Sequence, residues 1–402
     1  MSQASATVGG ATTLVATLTD GATGLPMTGK AVTFKLGATQ VGTATTNASG
    51  VATLLVDAAN YAPGNYSGEV QATFAGDIGA IDVRSSATLI VTPNYLMPLN
   101  QGVGITPLLS VGDSAAQTPQ YRMVGIPDGL GAYDNGNGTF TVLMNQELTS
   151  SLGSQRAHGG TGAFVSKWVF DKTTLAPLSG ADLMQTVKSG ADFTPVTGTA
   201  LNFSRFCSAD LPATSAFYNA TTGNGTRTRI LLNGEETGGG RAMAHVVDGP
   251  EAGVSYTLPA FGGRAWENLL ANPASGDTTL VMANEDGSIG TSRLISYVGT
   301  KQNTGNEIQR AGLTNGTAYQ VQVAVGGVNV AAESRVNGLG TTTPAYKGTF
   351  SLVAGTGTGF NRAEDGVWDP SNPRDYYFVT TDQAAIGNRN SRLWKLSFSD
   401  LS

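Results

Sequence analysis

Short runs of alternating apolar and polar residues occupy the first part of the chain. Within residues 1–93 four such runs are separated by turns that contain Gly, Pro, Asn or Asp, and the runs begin at Ala11, Ala31, Ser49 and Gly68. A period of two indicates strands with one buried face. Several short strands at this spacing are typical of an antiparallel β-sandwich. The pattern therefore predicts a sandwich over residues 1–93.

A second pattern consists of repeated hairpins and begins near residue 119. Each copy has an acidic residue at the start of one strand, a turn rich in Gly, Asn or Pro, and a second strand that ends near an acidic residue. The copies span residues 128–147, 266–286 and 362–382, and residues 226–236 keep the second half. Repeated strand units arranged radially form a β-propeller. The whole chain is therefore predicted to be all-β.

The domain order that we expect is 1–93 sandwich, 94–118 linker and 119–402 propeller. The run from Gly42 to Thr53, followed by Tyr61-Ala-Pro-Gly-Asn-Tyr, resembles bacterial Ig-like repeats of surface and secreted proteins. The linker contains Pro98 and Pro107. A propeller that lacks some of its blades leaves sheet edges open. Open sheet edges of such a propeller could pair between copies of the chain.

The acidic residues of the hairpins are expected to meet. In an antiparallel hairpin the start of the first strand and the end of the second lie at the same edge. By this rule, the following acids are expected to meet at one end of the central channel of the propeller: Asp128, Glu147, Glu236, Glu267, Glu285, Glu364 and Asp382. Their neighbours Glu235 and Asp365 are interpreted as turn residues that face solvent. A ring of carboxylates repels itself unless positive charge lies within it, so we predict a site for several metal ions.

Composition narrows the classes of function. Charged residues make up only 13 % of the chain, about half the ~25 % that is usual for soluble domains, and the net charge is −6. Without a basic run, nucleic acid is not an expected partner. The chain has neither an N-terminal apolar leader nor an apolar stretch of about 20 residues, so we expect no membrane span. We expect an exported bacterial protein, secreted, periplasmic or on the cell surface, which has lost a signal peptide or is an internal fragment.

Cysteine and histidine are scarce. The single cysteine, Cys207, excludes an intramolecular disulfide and is either a small buried apolar side chain or a thiolate ligand for iron. Of the two histidines, His158 and His245, each is interpreted as a structural residue. Zinc and histidine acid–base chemistry are therefore not favoured.

Several segments, in this order, resemble the PhoX-type alkaline phosphatases over residues 120–402. They are Asp128-Gly with Met144-Asn-Gln-Glu147, Arg156-Ala-His-Gly, Ser166-Lys-Trp-Val, Cys207 with Gly-Glu-Glu236, Trp266-Glu267, and Arg362-Ala-Glu-Asp-Gly with Asp369-Pro. Members of this family are exported propeller enzymes that use Ca²⁺ and a pair of Fe³⁺ ions to hydrolyse phosphate monoesters. Gln146 stands where the family commonly has histidine. Family members continue with further blades beyond the point that corresponds to the end of this chain, so the resemblance implies a propeller that is truncated at its C-terminal side.

The resemblance implies roles for particular residues. Cys207, Glu267 and Glu364 look like iron ligands, and Arg362 looks like the catalytic, phosphate-binding arginine. The calcium side would involve Asn145, Glu147 and Glu236. The implied function is that of an exported metal-dependent phosphatase or phosphoesterase acting on a phosphate ester.

Two other classes of function remain open from the residues alone. Low charge, the bias to Gly and Thr and the Ig-like segment also fit a cell-surface or filament-forming protein whose propeller-like domain is structural. A sugar- or calcium-binding module without catalysis is the third possibility.

Overall fold

This computed structural model describes residues 1–7, 10–58, 61–62, 64–76, 83–92, 96, 103, 105–333, 347–381 and 391–401. Regular structure is almost entirely β, which confirms the prediction of an all-β protein. The chain divides into two compact units. The first comprises Met1–Gly125, Tyr133–Val142 and Lys167–Ala181, and the second comprises Ile126–Ala132, Leu143–Ser166 and Asp182–Ser402.

The N-terminal part of the first unit is a sandwich of two sheets. Its strands are β1 (Ala4–Thr7), β2 (Ala11–Thr17), β3 (Ala31–Leu36), β4 (Thr39–Thr45), β5 (Val51–Asp57), β6 (Gly64–Phe74) and β7 (Val83–Thr92). One sheet has the order β1-β7-β6-β3-β4, and the other pairs β2 with β5. The four alternating runs predicted from the sequence correspond to β2, β3, β5 and β6.

The sandwich is held together by apolar side chains that alternate along its strands. Leu14 and Ala52 from one sheet and Phe34, Val70 and Leu89 from the other are fully buried in a common cluster. Burial of such side chains contributes roughly 1.5–3 kcal/mol each for the larger ones.

Two further strands, β8 (Ser114–Ala115) and β9 (Thr118–Arg122), form a small sheet. Much of the predicted linker, including Pro98, lies outside the described residues, and the predicted domain boundaries stay predictions.

Four sheets follow one another from residue 127 onward. Their strands are β10 (Pro127–Asp134), β11 (Thr139–Gln146), β12 (Phe164–Asp171), β13 (Pro177–Asp182), β14 (Thr186–Lys188), β15 (Phe206–Asp210), β16 (Ile230–Glu235), β17 (Ala242–Val246), β18 (Val254–Thr257), β19 (Trp266–Ala271), β20 (Thr278–Glu285), β21 (Leu294–Thr300), β22 (Thr317–Val325), β23 (Val328–Asn329), β24 (Thr349–Val353), β25 (Ala363–Trp368), β26 (Asp375–Thr380) and β27 (Arg392–Ser397). The helices are short: 3₁₀ turns at Gly198–Leu201, Thr214–Ala216 and Pro259–Phe261, and α1 at Glu307–Arg310.

The strand orders of these sheets are β10-β11-β12-β13, β14-β18-β17-β16-β15, β19-β20-β21-β22-β23 with β24 also on β22, and β25-β26-β27. In each sheet, one of the two edge strands carries a candidate site residue from the sequence analysis: Asp128, Cys207, Glu267 or Glu364. We call these strands, β10, β15, β19 and β25, the inner strands. The pairing in these sheets is antiparallel except between β14 and β18, which are parallel. The succession of sheets agrees with the predicted propeller-like part, and within the described residues no sheet closes on itself.

Two apolar clusters support the inner strands of the second unit. One joins the second and third sheets and includes the fully buried Tyr256, Trp266 and Tyr297. The other joins the third and fourth sheets around Phe360 and Tyr376. Because both clusters are densely aromatic, they fix the inner strands on a rigid base.

Across the described ranges, none of the helices has the length and apolar character needed to cross a membrane.

The backbones of β10 and β15 approach each other closely at Gly129. A Cβ atom added to Gly129 would lie 2.3 Å from the nitrogen of Ala209 and 2.5 Å from the carbonyl carbon of Ser208. Both contacts are with backbone atoms, which cannot rotate away. Glycine is therefore required here for steric reasons, and the contact sets the spacing between the first two inner strands.

Replacing Gly129 with alanine should destabilise the protein by about 1–3 kcal/mol, because the extra methyl group forces β10 and β15 apart. Denaturant unfolding of G129A measures this loss. G238A is the matched control, since nothing lies within 4 Å of a Cβ at Gly238 and its φ is not in the left-handed region. Equal stability of G129A and G238A would contradict the close approach of the two strands.

Candidate metal centre

Three of the inner strands are irregular at the residues that carry candidate ligands. The pairing register of β15 with β16 shifts between Phe206 and Ala209, and that of β19 with β20 shifts between Trp266 and Asn268. A third shift, between β25 and β26, lies between Ala363 and Gly366. The side chains inside these bulges are Cys207, Ser208, Glu267, Glu364 and Asp365. Because a bulge re-aims the side chain of its extra residue, the same irregularity presents a ligand from each of three sheets.

Left-handed backbone conformations precede three of the inner strands. Ile126, Arg205 and Arg362 stand immediately before β10, β15 and β25, with φ values of 27°, 53° and 50°. Such a conformation costs a residue with a side chain on the order of 1–3 kcal/mol, so it persists only where the surroundings hold it. In two of the three cases it turns an arginine side chain toward the acids of the site.

The candidate ligands form a continuous row. Within the described residues there are three groups whose ligand atoms all lie within 4.8 Å of one another. They are Asp128 with Glu147 and Cys207, then Cys207 with Glu236 and Glu267, and then Glu267 with Asp286 and Glu364. Neighbouring groups share Cys207 and Glu267. We refer to these seven residues as the acid row, and its shared side chains could bridge adjacent cations.

Burial and mutual repulsion raise the pKa values of several members of the acid row. Glu267 is only 5 % exposed, and its burial, with a further contribution from Glu364 and Asp365, raises its pKa to about 8. Burial likewise raises the pKa of Asp128, with Glu147 adding to the effect, and the pKa of Glu364. The pKa of the Cys207 thiol lies well above its usual range because of burial and the nearby Glu267. A bound cation would reverse this balance and favour the ionised ligands.

Two arginines neutralise part of the acid row. The Arg205 Nε atom lies 3.0 Å from Glu147 Oε1, and its Nη2 atom also pairs with Glu236. The Arg362 Nε atom donates to Asp286 Oδ1 at 2.7 Å, while its Nη2 atom pairs with Asp286 and lies 3.4 Å from Glu364 Oε1. Four of the six carboxylates of the row are thus paired with two guanidinium groups. The remaining negative charge must be met by protons or by cations.

A chain of polar side chains holds the backbone at Cys207. The Asn145 Nδ2 atom donates to the Cys207 carbonyl at 2.6 Å, and Asn145 Oδ1 accepts from Asn233 Nδ2 at 2.9 Å. His245 Nε2 lies 2.8 Å from Asn233 Oδ1, and its Nδ1 lies 2.8 Å from Ser255 Oγ. Since Asn233 Oδ1 is an acceptor, Nε2 carries the imidazole proton, and Nδ1 accepts from Ser255. Complete burial lowers the pKa of His245 to about 3, so the imidazole is neutral.

An equivalent arrangement holds the backbone at Glu364. The Asn284 side chain, on the second strand of its hairpin, donates to the Glu364 carbonyl, and the Tyr376 hydroxyl donates to Asn284 Oδ1 at 2.8 Å. In both arrangements an asparagine of one hairpin fixes the bulged ligand residue of the next inner strand. Ser208 adds a link across the row, because its Oγ atom lies 3.1 Å from Glu267 Oε1 and 2.8 Å from Asp365 Oδ2.

The structure brings together most of the residues chosen from the sequence. Cys207, Glu267, Glu364, Glu236 and Glu147 all belong to the acid row. Arg362 lies beside it, already paired with Asp286. The Asn145 carboxamide lies next to the row, with both its oxygen and its nitrogen in hydrogen bonds to protein groups. The individual roles of these residues stay predictions, and Asp382 lies outside the described residues.

Some details of the sequence interpretation are wrong. Glu285 is paired with Arg264 at 2.9 Å, and the next residue, Asp286, takes the expected place in the row. Glu235 does not face solvent: it is 5 % exposed and paired with Arg241. Asp365 is exposed as expected, but it lies within β25 rather than in a turn, and its carboxylate accepts hydrogen bonds from Ser208 and Asn268. His158 and His245 are buried and hydrogen-bonded, in agreement with their interpretation as structural residues. The sequence contains a pattern that identifies Asp286: it follows Asn284 by two residues, as Glu147 follows Asn145.

The fold and the site define an all-β protein with a carboxylate- and thiol-lined candidate metal centre. Comparison with models of protein families gives no match, and comparison with curated proteins gives none. Among solved structures, the chain is similar to PhoX of Pseudomonas fluorescens in complex with vanadate, a transition state analogue. Sequence identity is 11 %, the TM-score is 0.42, and the alignment covers 68 % of this chain and 61 % of that chain. The chain thus spans less than two thirds of the length of that protein.

Removing cations should destabilise the protein more at pH 8 than at pH 5. Without cations, the pKa of Glu267 in the folded state is about 8, whereas its ordinary value is 4.5. The folded state therefore keeps the Glu267 proton at pH values at which the unfolded chain has lost it. The metal-free folded state therefore loses stability, on the order of a few kcal/mol, as pH rises from 4.5 to 8. With cations bound the carboxylate is ionised throughout, and this loss does not occur.

Thermal unfolding at the two pH values, in Ca²⁺ and in EDTA, measures the effect. E267Q is the informative variant, because glutamine cannot titrate and the pH dependence of the EDTA effect should shrink. Identical melting temperatures in Ca²⁺ and EDTA at both pH values would count against a cation site in the acid row.

Proposed function

We propose that the protein is an exported metal-dependent phosphatase or phosphoesterase that hydrolyses phosphate esters at the acid row. The observation that supports the proposal is the row itself: three ligand groups that share Cys207 and Glu267, beside two arginines. Several cations next to guanidinium groups provide the positive field that a phosphate group requires. Such a field also explains how an acidic protein could bind an anionic substrate.

The donor set suits the cations that the sequence resemblance implies. Carboxylate oxygens are the preferred ligands of Ca²⁺, which accepts six to eight of them with loose geometry. The single thiol favours iron in its neighbourhood. We therefore assign Cys207, Glu267 and Glu364 to iron. Asn145, Glu147 and Glu236 are assigned to the calcium side of the site. Asp128 and Asp286, which belong to the acid row, are further candidate ligands.

The residues of the chain would each have a distinct task in phosphate ester hydrolysis. When bound, the cations neutralise phosphate oxygens and activate water for attack on phosphorus. Arg362 would bind phosphate oxygens, for which the planar guanidinium group is well suited. Burial of Glu267 and Asp286 keeps the surroundings poorly solvated, which strengthens each electrostatic contact. Asn145 and Asn284 would hold the ligand-bearing backbone in place.

Export is part of the proposal and depends on composition. The low content of charged residues, the single cysteine and the Ig-like sandwich are typical of secreted or cell-surface bacterial proteins. The proposed substrate is a phosphate ester that is not part of a nucleic acid, since the described surface carries no extended basic segment to match a polyanion.

A second candidate function, a structural role in a surface filament, is favoured by one feature. Strand β27 stands at the edge of its sheet, and the Leu393 side chain on it is 67 % exposed. A groove of about 560 Å³ lies between β27 and β24, lined by Phe350, Trp394 and Phe398 among others. An exposed edge of this kind can pair with another chain.

Replacing Glu364 with glutamine separates the two functions. E364Q should lower kcat/KM for an aryl phosphate by at least about 100-fold, because a ligand of the proposed centre is lost while the fold remains. Assembly into polymers, if it occurs, should be unaffected. E285Q is the matched control, since Glu285 pairs with Arg264 outside the acid row. Full activity in E364Q, or wild-type protein that holds neither calcium nor iron and turns over no aryl phosphate, would contradict the proposal.

A further inference from the structure

Arg205 occupies, on the second sheet, the position that Arg362 occupies on the fourth. Each residue immediately precedes an inner strand, β15 or β25, and each has a left-handed φ, 53° or 50°. Residues other than glycine rarely adopt this conformation. Its recurrence at equivalent points places two arginine side chains in equivalent settings beside the acid row.

The two arginines also make equivalent contacts. In each, the Nε atom pairs with a carboxylate at the end of the second strand of the preceding sheet: Glu147 after β11 for Arg205, and Asp286 after β20 for Arg362. In each, the Nη2 atom pairs with a further acid of the row, Glu236 or Glu364. The same edge of each guanidinium group is therefore used to hold ligand carboxylates.

The other edge of each guanidinium group remains available. Within the described part of the chain, the Nη1 atom of Arg205 and that of Arg362 make no hydrogen bond. Each Nη1 atom carries two N–H donors. The Arg205 side chain is 43 % exposed and that of Arg362 is 29 % exposed, so both can be reached by a ligand.

Both arginines pair with acids that adjoin Glu267. Glu236, which pairs with Arg205, and Asp286, which pairs with Arg362, each belong to a group with Glu267 in which the ligand atoms lie within 4.8 Å of one another. An anion bound to cations at Glu267 would therefore lie near both guanidinium groups.

On the basis of the proposed function, we propose that Arg205 is a second anion-binding residue, which together with Arg362 clamps the phosphate group of the substrate. The Nε and Nη2 atoms keep the ligand carboxylates in place, while the Nη1 atoms donate to phosphate oxygens. Lysine could not fulfil both tasks, because its single ammonium group lacks the fork of donors.

The test uses inorganic phosphate as the probe and the full chain loaded with calcium and iron. Isothermal titration calorimetry of R205K should show phosphate binding about tenfold weaker than in the wild type, with metal content unchanged by elemental analysis. The KM for an aryl phosphate should rise in parallel. R264K is the matched control, because Arg264 also pairs with a carboxylate, Glu285, but outside the acid row, and it should bind phosphate like the wild type.

The possible results distinguish this inference from the proposed function. Wild-type phosphate affinity in both R205K and R205A, with metals retained and R362K weakened, would overturn the role of Arg205 and leave the proposed function intact. Loss of metal from R205K, together with wild-type phosphate affinity once saturating calcium and iron restore the metal content, would assign Arg205 to holding carboxylates alone, and would also overturn it. Wild-type protein that binds neither metal nor phosphate would overturn both.

Discussion

The electrostatic repulsion among six carboxylates gathered around one thiol is the interaction on which the rest of the site depends. Glu267, at the centre of the row, is 5 % exposed, and its charge has little access to water. Isolated buried charges of this kind are unfavourable by many kcal/mol, and a protein meets them with partners, with protons or with metal ions. Arg205 and Arg362 are partners for four of the acids, and the raised pKa of Glu267 means that this carboxyl group keeps its proton near neutral pH when cations are absent. The row is therefore a candidate cation site, in which cations would replace such protons.

The fold tolerates this repulsion because the backbone under the row is held from several directions. No single strand carries more than a small part of the row, since the inner strands of four sheets contribute to it. Asn145 and Asn284 bind the carbonyl groups of Cys207 and Glu364, and aromatic clusters around Trp266 and Tyr376 lie beneath. The backbone at Cys207 and at Glu364 is thus positioned by interactions that do not involve the thiol or the carboxylate of these residues.

The sequence predicts the strands well and the details of the site less well, for a physical reason. Alternation of apolar and polar residues identifies the hairpins, and the spans 128–147, 266–286 and 362–382 correspond to β10–β11, β19–β20 and β25–β26. Alternation also implies a fixed side-chain period of two, which fails at bulges and beyond strand ends. Asp286 lies one residue past β20 and joins the row in place of Glu285, while Glu235 is buried against Arg241. Neither outcome follows from a regular period, because both depend on contacts between elements distant in sequence.

The same carboxylates that could bind cations also anchor the arginines. This shared use links the candidate cation ligands to the candidate anion-binding groups. Glu147, Glu236, Asp286 and Glu364 each belong to a ligand group and to an ion pair with Arg205 or Arg362. A cation that withdraws negative charge from these oxygens weakens their hold on the guanidinium group and leaves more of its positive field for an external anion. Binding of cations and binding of an anion are then coupled through four side chains, without movement of the sheets. If the proposed function holds, the arginines would compensate the acids in the absence of metal and bind an anion in its presence.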